Sequence, residues 1–337
     1  PVDRVAILLW DEQQNALLQT QNEIATGRRV VTPSDDPVAA AQIVGVSAAD
    51  ARASQFKTNR DHAESALGLQ ESVLASVGSL IQDAQTAVIA AGNATWTDSE
   101  RKVLATELRG RLSELVGLAN TVDTDGQAIF GGYDGARQPF IVSGGEVRYQ
   151  GDAGSRAIQV AEGRQIPVTT SGQTVFEAIR TGNGRFAVSA PAGNAGDLLI
   201  GASSVSDASL LTGDDYRVDF SVVAGVASYT VTNVSESLVV ASGVPYSTGD
   251  TIGFDGMQFE VSGTPADGDR LEVGPSRNQS LFKTLENLVA ALETPVVGGA
   301  GRAAFRNQLN AVHDALGNAQ DTVLAARAAV GGRLAEI

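Results

Sequence analysis

The sequence has no cysteine and only two histidines, His62 and His313. The absence of cysteine excludes a disulfide framework and thiol chemistry. A Ser/His/Asp triad or a histidine-rich metal cluster would need one of the two histidines. Both lie in helix-like stretches with no nucleophile elbow or His-x-x-x-His spacing nearby. We therefore expect a protein that is not an enzyme, with no catalytic residue, no metal site and no cofactor.

Positive charge is also scarce. The chain carries 24 Lys and Arg against 39 Asp and Glu, a formal net charge of -15. Nucleic-acid binding needs clustered Lys and Arg to neutralise phosphates, and an anionic membrane surface attracts the same residues. No uninterrupted apolar run reaches the roughly 18 residues of a membrane span. The sequence therefore predicts neither a nucleic-acid partner nor a membrane partner.

Two compositions alternate along the chain. Residues 11–122 and 278–337 are rich in Ala, Leu, Gln and Glu, with few glycines. Residues 131–277 are rich in Gly, Ser, Thr and Val, with repeated turn signals between short alternating runs. This order predicts an α+β, multidomain fold in which helices from both chain ends frame an inserted, mainly β region.

The domain boundaries follow from this composition. Residues 1–135 together with 278–337 are predicted to form one discontinuous, elongated helical rod domain. Residues 136–277 are predicted to form the inserted β domain, which is divisible into two β units at 136–182 and 183–277. Within it, the runs that best fit strands are 146–150, 157–161, 166–170, 216–223, 228–234, 251–254, 257–263 and 269–273.

Apolar residues recur at alternating spacings of four and three in both helical blocks. One row starts at Phe56 and another at Phe305, while Trp10, Leu17 and Ile24 keep the same period near the start. This spacing keeps one stripe on one side of a slightly underwound helix, as in a coiled coil or long bundle, where the stripe is buried. The predicted core of the rod is Leu67, Leu74, Ile81, Leu309, Leu316 and Val323.

A third helix is predicted to start at residues 97–100, TDSE. Thr97 can cap the helix, and Glu100 can reach back to it three residues later, which is the pattern of a capping box. Leucines follow on one broad face of this helix.

The stretch ATGRRVVTPSDDPVAAAQ, residues 25–42, ends one helical pattern and begins another. Gly27 suits the left-handed position that ends a helix. Asp36 and Pro37 suit the cap and the first residue of the next helix. Local capping explains these three residues. It does not require Arg28, Arg29 or Asp35, although Asp35 adds negative charge near the start of the helix.

Residues 24–42, IATGRRVVTPSDDPVAAAQ, resemble the signature of the flagellar hook-associated protein 3 family, the hook–filament junction proteins of the bacterial flagellin superfamily. Relatives carry Ser/Thr-Gly-x-Arg-Val, then Pro-Ser-Asp-Asp-Pro and small residues. Residues 71–93, 118–140 and 321–337 are also similar to that family. The resemblance covers both helical blocks and the start of the β region.

This resemblance implies a structural subunit of the extracellular bacterial flagellum, secreted by type III export. The implied partners are the first hook-associated junction protein, flagellin, an export chaperone and other copies of the chain in a ring. The family's most terminal helices are expected to lie outside this sequence. The implied assembly joint consists of Arg28, Arg29, Pro33, Asp35, Asp36 and Pro37.

Two other functions remain open at this point. A flagellin-type filament subunit would share the helical blocks, but flagellins have a looser form of the signature without the two prolines. A carbohydrate-binding surface adhesin could use the β region. However, platforms for sugar binding are usually aromatic, and both tryptophans, Trp10 and Trp96, lie outside that region.

Overall fold

The computed structural model describes residues 2–30, 32–93 and 95–337, with the side chains of residues 2–8 left aside. Five α-helices occupy the two ends of the chain, and fourteen strands lie between and beside them in these residues. The predicted α+β class is confirmed. The helices are α1 Val2–Thr26, α2 Pro37–Ala91, α3 Asp98–Ala119, α4 Leu281–Glu293 and α5 Gly298–Ala335.

The strands form two larger sheets and three two-stranded ribbons. Their ranges are β1 Phe140–Ser143, β2 Glu146–Tyr149, β3 Ala157–Ala161, β4 Arg164–Pro167, β5 Ile179–Arg180, β6 Phe186–Ser189, β7 Leu199–Val205, β8 Tyr216–Val223, β9 Val226–Asn233, β10 Leu238–Pro245, β11 Asp250–Phe254, β12 Met257–Ser262, β13 Arg270–Pro275 and β14 Asn278–Gln279.

The two larger sheets share one hydrophobic core, and we call them the sandwich. One sheet has the order β10-β9-β8-β13-β6 and the other has the order β11-β12-β7. Large side chains from both sheets are buried together, among them Phe220 and Leu271 from the first and Phe259 from the second. The alternating burial along β8 explains why its sequence, YRVDFSVV, reads clearly as a strand.

Several strands lie outside the runs predicted from sequence, and β7 and β10 are the longest of them. β7 reads LIGASSV, and β10 reads LVVASGVP. Both are edge strands of their sheets, so each pairs on one side only, and neither shows a clean alternation of buried and exposed positions. The strand expected at 166–170 is also displaced, because β4 starts at Arg164 and ends at Pro167.

The ribbon β5–β14 joins the sandwich to the helices. Ile179 pairs with Gln279, and Arg180 pairs with Asn278. Just beyond the pairs, Thr181 N donates to Arg277 O at 3.0 Å, and Arg277 N donates to the Thr181 hydroxyl oxygen at 3.0 Å. The chain therefore enters and leaves the sandwich at two adjacent points.

Contacts divide the chain into two compact units. The first contains residues 1–62 and 159–164, and the second contains residues 63–158 and 165–337. Composition had placed the boundaries at 135 and 277 instead. The boundaries differ because helices α4 and α5 contact strands β2, β5 and β7 within the second unit, so helical and β parts there share one contact network.

In the first unit, two side chains from the interior of α2 donate hydrogen bonds to strand β3. Asn59 Nδ2 donates to Gln159 O at 2.6 Å, and Arg60 Nη1 donates to Val160 O at 3.1 Å. These bonds attach β3 to α2 within the first unit.

The capping box of α3 is present as the sequence predicts. The Thr97 hydroxyl oxygen accepts from Glu100 N at 3.3 Å, and the Glu100 carboxylate accepts from Thr97 N at 2.6 Å. The hydrogen bond from the Thr97 backbone lowers the pKa of Glu100. α3 then packs against α4, and α4 packs against α5.

An aromatic cluster lies where the helices of the second unit meet its first strands. Phe140 packs within 5.3 Å, between ring centroids, of Tyr149, Phe176 and Phe282, and Phe130 packs edge-on against Phe176. All four phenylalanines are fully buried. The cluster therefore ties α4, which carries Phe282, to the segment that follows α3.

The turn at residues 131–135 beside this cluster is held by one carboxylate. Asp152 accepts backbone hydrogen bonds from Tyr133, Asp134 and Gly154 at 3.0, 3.1 and 2.6 Å. These bonds lower the pKa of Asp152, that from Tyr133 most. Gly132 has a φ of +80°, and a Cβ there would lie 2.2 Å from the Asp152 carboxylate, so the turn requires glycine.

Among the described residues, one helix, α2, is long and apolar enough by length and composition to cross a membrane, although polar residues interrupt its apolar runs. Within its most apolar window, 44 % of the residues are buried inside the protein. A core helix of a soluble protein meets the same criterion, so α2 is weak evidence for a membrane span.

Candidate functional site

Residues 27–30 and 32–36 lie between α1 and α2 inside the first unit. α1 ends at Thr26, whose hydroxyl donates to the Asn22 backbone oxygen at 2.6 Å. Gly27 follows with a φ of +63°, and a Cβ built there would meet nothing within 4 Å. The left-handed backbone, rather than crowding, therefore favours glycine at this position.

Asp36 caps the start of α2. Its Oδ1 accepts from Ala39 N at 2.9 Å, and its backbone oxygen accepts from Ala40 N at 2.8 Å, which begins the helical ladder. Pro37 is the first residue of the helix. Proline fits there because the first helical N–H has no partner within the helix.

The carboxylate of Asp35 closes the turn before α2. Its Oδ2 accepts from Thr32 N at 2.8 Å, and Asp35 N donates to Thr32 O at 3.1 Å. Asp36 rather than Asp35 caps α2, but the turn before the helix uses the Asp35 carboxylate. Thr32 and Asp35 hold each other across a four-residue turn, so the shape of this turn depends in part on Asp35.

The remaining joint residues lie at the surface. Arg29 Nη2 lies 3.5 Å from Asp36 Oδ2, with side chains 77 % and 37 % exposed. An exposed pair of this kind contributes about 0–1 kcal/mol. Arg28 and Pro33 are exposed as well. The structure thus brings Arg29 and Asp36 together, and the assembly role of the six joint residues stays a prediction.

Around the joint, the first unit exposes many apolar side chains. Trp10, Leu17 and Ile24, which we call the exposed stripe, are 71 %, 61 % and 77 % exposed. The expected burial of this stripe is wrong for the single chain. Other large apolar residues of α1 and early α2 that the predicted stripe does not include are exposed as well, namely Leu9, Leu18, Val38, Ile43, Val44 and Val46.

The predicted rod-core residues lie in the second unit, on α2 and α5. None of them is more than 4 % exposed. The two helices approach each other at Gly78, where a built Cβ would lie 4.0 Å from Val323 Cγ1 and 3.7 Å from Gln320 Nε2. The rod-core residues on α2 are Leu67, Leu74 and Ile81, and those on α5 are Leu309, Leu316 and Val323.

One ion pair crosses between the same two helices. Arg327 donates to Glu71 Oε1 from Nε at 2.9 Å and from Nη2 at 2.6 Å. These hydrogen bonds raise the pKa of Arg327. Beside the pair, Gln70 is fully buried in the apolar row and accepts from the Thr170 hydroxyl at 3.3 Å. The row is therefore not purely apolar, and these polar contacts help to set the register of α2 against its neighbours.

The described residues contain no group of three or more His, Asp or Glu side chains that could hold a metal ion. His62 and His313 are both exposed. What the geometry of the first unit offers is a capped turn beside an apolar surface, which suits protein–protein contact better than chemistry on a small molecule.

Two family descriptions match separate parts of the chain. Residues 7–134 match the bacterial flagellin N-terminal helical region. Residues 190–275 match the D2-like domain of flagellar hook-associated protein 1. The second match covers most of the sandwich, from β7 to β13.

Curated relatives match about half of the chain. Over 175 residues the sequence is 41 % identical to flagellar hook-associated protein 3 of Escherichia coli strain K12, covering 52 % of this chain and 53 % of the relative. It is 37 % identical over 179 residues to the protein of the same name from Salmonella typhimurium. The aligned part thus spans about half the length of these curated relatives.

Solved structures match over most of the chain. The flagellar junction protein FlgL of Legionella pneumophila is 30 % identical with a TM-score of 0.81, covering 88 % of this chain and 98 % of that one. FlgL of Xanthomonas campestris is 31 % identical with a TM-score of 0.79, covering 85 % of this chain and 93 % of that one.

Proposed function

The chain belongs to the family of flagellar hook-associated protein 3, the FlgL junction proteins, and from this premise we propose that it is a structural subunit of the bacterial flagellum at the hook–filament junction. In that role it joins the first hook-associated junction protein to the flagellin filament, with further copies beside it in a ring. It reaches the extracellular flagellum by type III export with the help of a chaperone. It is not an enzyme.

The observation that carries this proposal is the exposed stripe. Trp10, Leu17 and Ile24 repeat every seven residues on α1 and lie mostly in solvent. A row of this kind is the pattern that buries itself against neighbouring helices in a bundle. A subunit that is built into a helical assembly needs such a surface, whereas an enzyme or adhesin does not.

A flagellin-type filament subunit is the second candidate, because residues 7–134 match the flagellin N-terminal helical region. The match of residues 190–275 to a hook-associated D2-like domain favours the junction role. The two prolines of the joint, Pro33 and Pro37, favour it as well. For the carbohydrate-binding adhesin, we find no comparable supporting observation among the family matches.

The direct test is complementation in a strain that lacks its own junction protein. The full-length protein should restore filaments that stay attached to the hook, and the medium should contain little unpolymerised flagellin. Restored filament growth in a strain that lacks flagellin would support the second candidate instead. Failure in both strains, with the protein exported in normal amounts, would count against both.

The joint has a finer proposed role, which is to fix the register between neighbouring subunits through its surplus charges. The Asp35 bond to Thr32 N means that reversing this charge would also open the turn. Asp35→Asn is the sharper variant, because its amide oxygen still accepts from Thr32 N while the negative charge is lost. Asp35→Ala, which removes both, is the matched comparison.

If charge sets the register, Asp35→Asn should shed filaments nearly as readily as Asp35→Ala does. If only the turn matters, Asp35→Asn should behave as wild type and Asp35→Ala should not. Wild-type filament retention in both variants would contradict the register proposal but would not contradict the junction role.

A further inference from the structure

The sandwich touches α5 through a row of asparagines. Asn307, Asn310 and Asn318 follow at spacings of three and eight residues, which places them on one side of the helix. Each donates a side-chain hydrogen bond to backbone oxygens of the sandwich or of the segment leading into it. We call these three residues the asparagine row.

Asn307 occupies the free edge of β7. Its Oδ1 accepts from Ile200 N at 2.9 Å, and its Nδ2 donates to Leu198 O at 2.9 Å. β7 pairs with β12 on its other side, with Ile200 opposite Val261. The side-chain amide of Asn307 thus takes one donor and one acceptor that a further strand would take.

The other two asparagines extend this contact along the seam, by which we mean the contact between α5 and the sandwich with its ribbon β5–β14. Asn310 Nδ2 donates to Ile200 O at 3.2 Å, so both outward backbone groups of Ile200 are bound by α5. Asn318 Nδ2 donates to Arg180 O at 2.6 Å and to Gly182 O at 2.9 Å. Asn318 therefore binds the end of the ribbon β5–β14, at the point where the chain enters the sandwich.

Open space flanks these bonds. Crevices of about 400 and 740 Å³ lie along the row, the first lined in part by Asn307 and Asn310 and the second by Asn310 and Asn318. On the side of the sandwich that faces α4, a cleft of about 920 Å³ is lined by charged residues of β13 and α4, including Glu272 and Lys283. Apolar packing along the seam is therefore interrupted, and directional hydrogen bonds carry more of the contact than a close-packed interface would require.

The ribbon is the covalent axis of the same seam. The chain enters and leaves the sandwich at Thr181 and Arg277, which bond to each other. The ribbon has only two paired residues on each strand. A two-stranded ribbon this short is too weakly held to resist bending by itself. The orientation of the sandwich must therefore be set by contacts beyond the ribbon.

We propose that the asparagine row is a latch that holds the sandwich in one orientation about the ribbon β5–β14. While the latch is closed, the edge of β7 is covered and Ile200 N is protected. When it opens, the sandwich turns about the ribbon into the flanking clefts, and the β7 edge is exposed to solvent. This device concerns the second unit alone and does not depend on the junction role.

The test uses the 337-residue chain with two spin labels. Because the sequence has no cysteine, Lys102→Cys on α3 and Ser242→Cys on β10, both exposed, give unique labelling sites. Dipolar spectroscopy then measures the distance distribution between helix and sandwich. Amide hydrogen exchange at Ile200 measures the covering of the edge.

The variant Asn307→Ala with Asn318→Ala should broaden the distance distribution and raise exchange at Ile200 about tenfold or more, as expected for a lost hydrogen bond at a locally opening site. Gln308→Ala, an exposed amide next to Asn307, is the matched control and should change neither. Asn318→Ala alone should broaden the distribution even if the double variant folds poorly by circular dichroism.

Two results would overturn the latch. An unchanged distribution with Ile200 still protected would mean that other contacts hold the sandwich. Faster exchange at Ile200 with an unchanged distribution would mean that the asparagines cover the edge without setting the orientation. Asn307→Asp separates these roles further, since a carboxylate still accepts from Ile200 N but cannot donate to Leu198 O.

Discussion

Two apolar rows with the same seven-residue spacing have opposite surroundings in this chain. Leu67, Leu74 and Ile81 on α2 are fully buried, whereas the exposed stripe on α1 lies in solvent. The buried row has a partner, because α5 approaches α2 closely enough for Gly78 to lie near Val323. Periodicity therefore indicates which side of a helix will be covered, and the available partner decides whether the same chain covers it.

The helix α2 contains both exposed and buried apolar residues along its own length. Its early apolar residues, such as Val38 and Val44, are exposed, and continuous burial begins at Ala63. Helix propensity and local spacing do not change sharply at that point. What changes is the set of neighbouring elements, since residue 63 is also where the second compact unit begins.

The largest effect that should separate the two rows comes from a buried charge. Leu74→Asp and Leu316→Asp should each lower the free energy of unfolding of the second unit by about 4 kcal/mol, because each places an unpaired carboxylate in a fully buried position. Urea unfolding followed by circular dichroism would measure this. Val103→Asp, at an exposed apolar position on α3, is the control and should change little.

A smaller effect is expected at the cap of α3. Thr97→Ala removes the hydroxyl that accepts from Glu100 N and should lower the free energy of unfolding of the second unit by about 1 kcal/mol. α3 packs against α4, so its first turn is coupled to the packed helices. If Thr97→Ala leaves the urea midpoint unchanged, α3 unfolds separately from the rest of the second unit.

The corresponding cap in the first unit should behave differently. Asp36→Ala removes the acceptor for Ala39 N, yet the helix there exposes most of its apolar residues. We expect faster hydrogen exchange at Ala39, by about fivefold for a cap worth about 1 kcal/mol, and almost no change in the main urea transition. A main transition that shifts as far as it does in Thr97→Ala would contradict the contrast between the two units.

The smallest effect is expected at the exposed stripe itself. Leu17→Asp should change the free energy of unfolding by less than about 0.5 kcal/mol in the isolated chain, because the side chain is already mostly in water. In the full-length protein, the same variant should reduce filament attachment if the stripe is an assembly surface. A large loss of stability in the isolated chain would mean that the stripe is covered in solution.

Local patterns predicted much of the fold, and tertiary contacts explain the rest. The capping box at Thr97 and the strand β8 were predictable, because sequence neighbours create both. The strand β7 was not, because it depends on β12 on one side and on Asn307 on the other, 107 residues from Ile200. No local signal connects residues that far apart.

The joint shows the same limit at shorter range. Gly27, Asp36 and Pro37 follow capping rules that can be read directly from sequence. The bond from Thr32 N to Asp35 depends on the path of the chain between the two helices, which composition does not specify. The exposure of Ile24 was missed for another reason, since spacing alone does not say whether a covering helix belongs to the same chain.

The ribbon β5–β14 has a consequence for how this chain can diverge. Since Thr181 and Arg277 bond to each other, the whole segment between them can be lost, enlarged or exchanged for another domain without shifting the helices by a residue. A recombination event at these two codons would leave the α2 and α5 registers unchanged. The asparagines on α5 would then be free to diverge, and their loss in a relative with a different insert would record such an exchange.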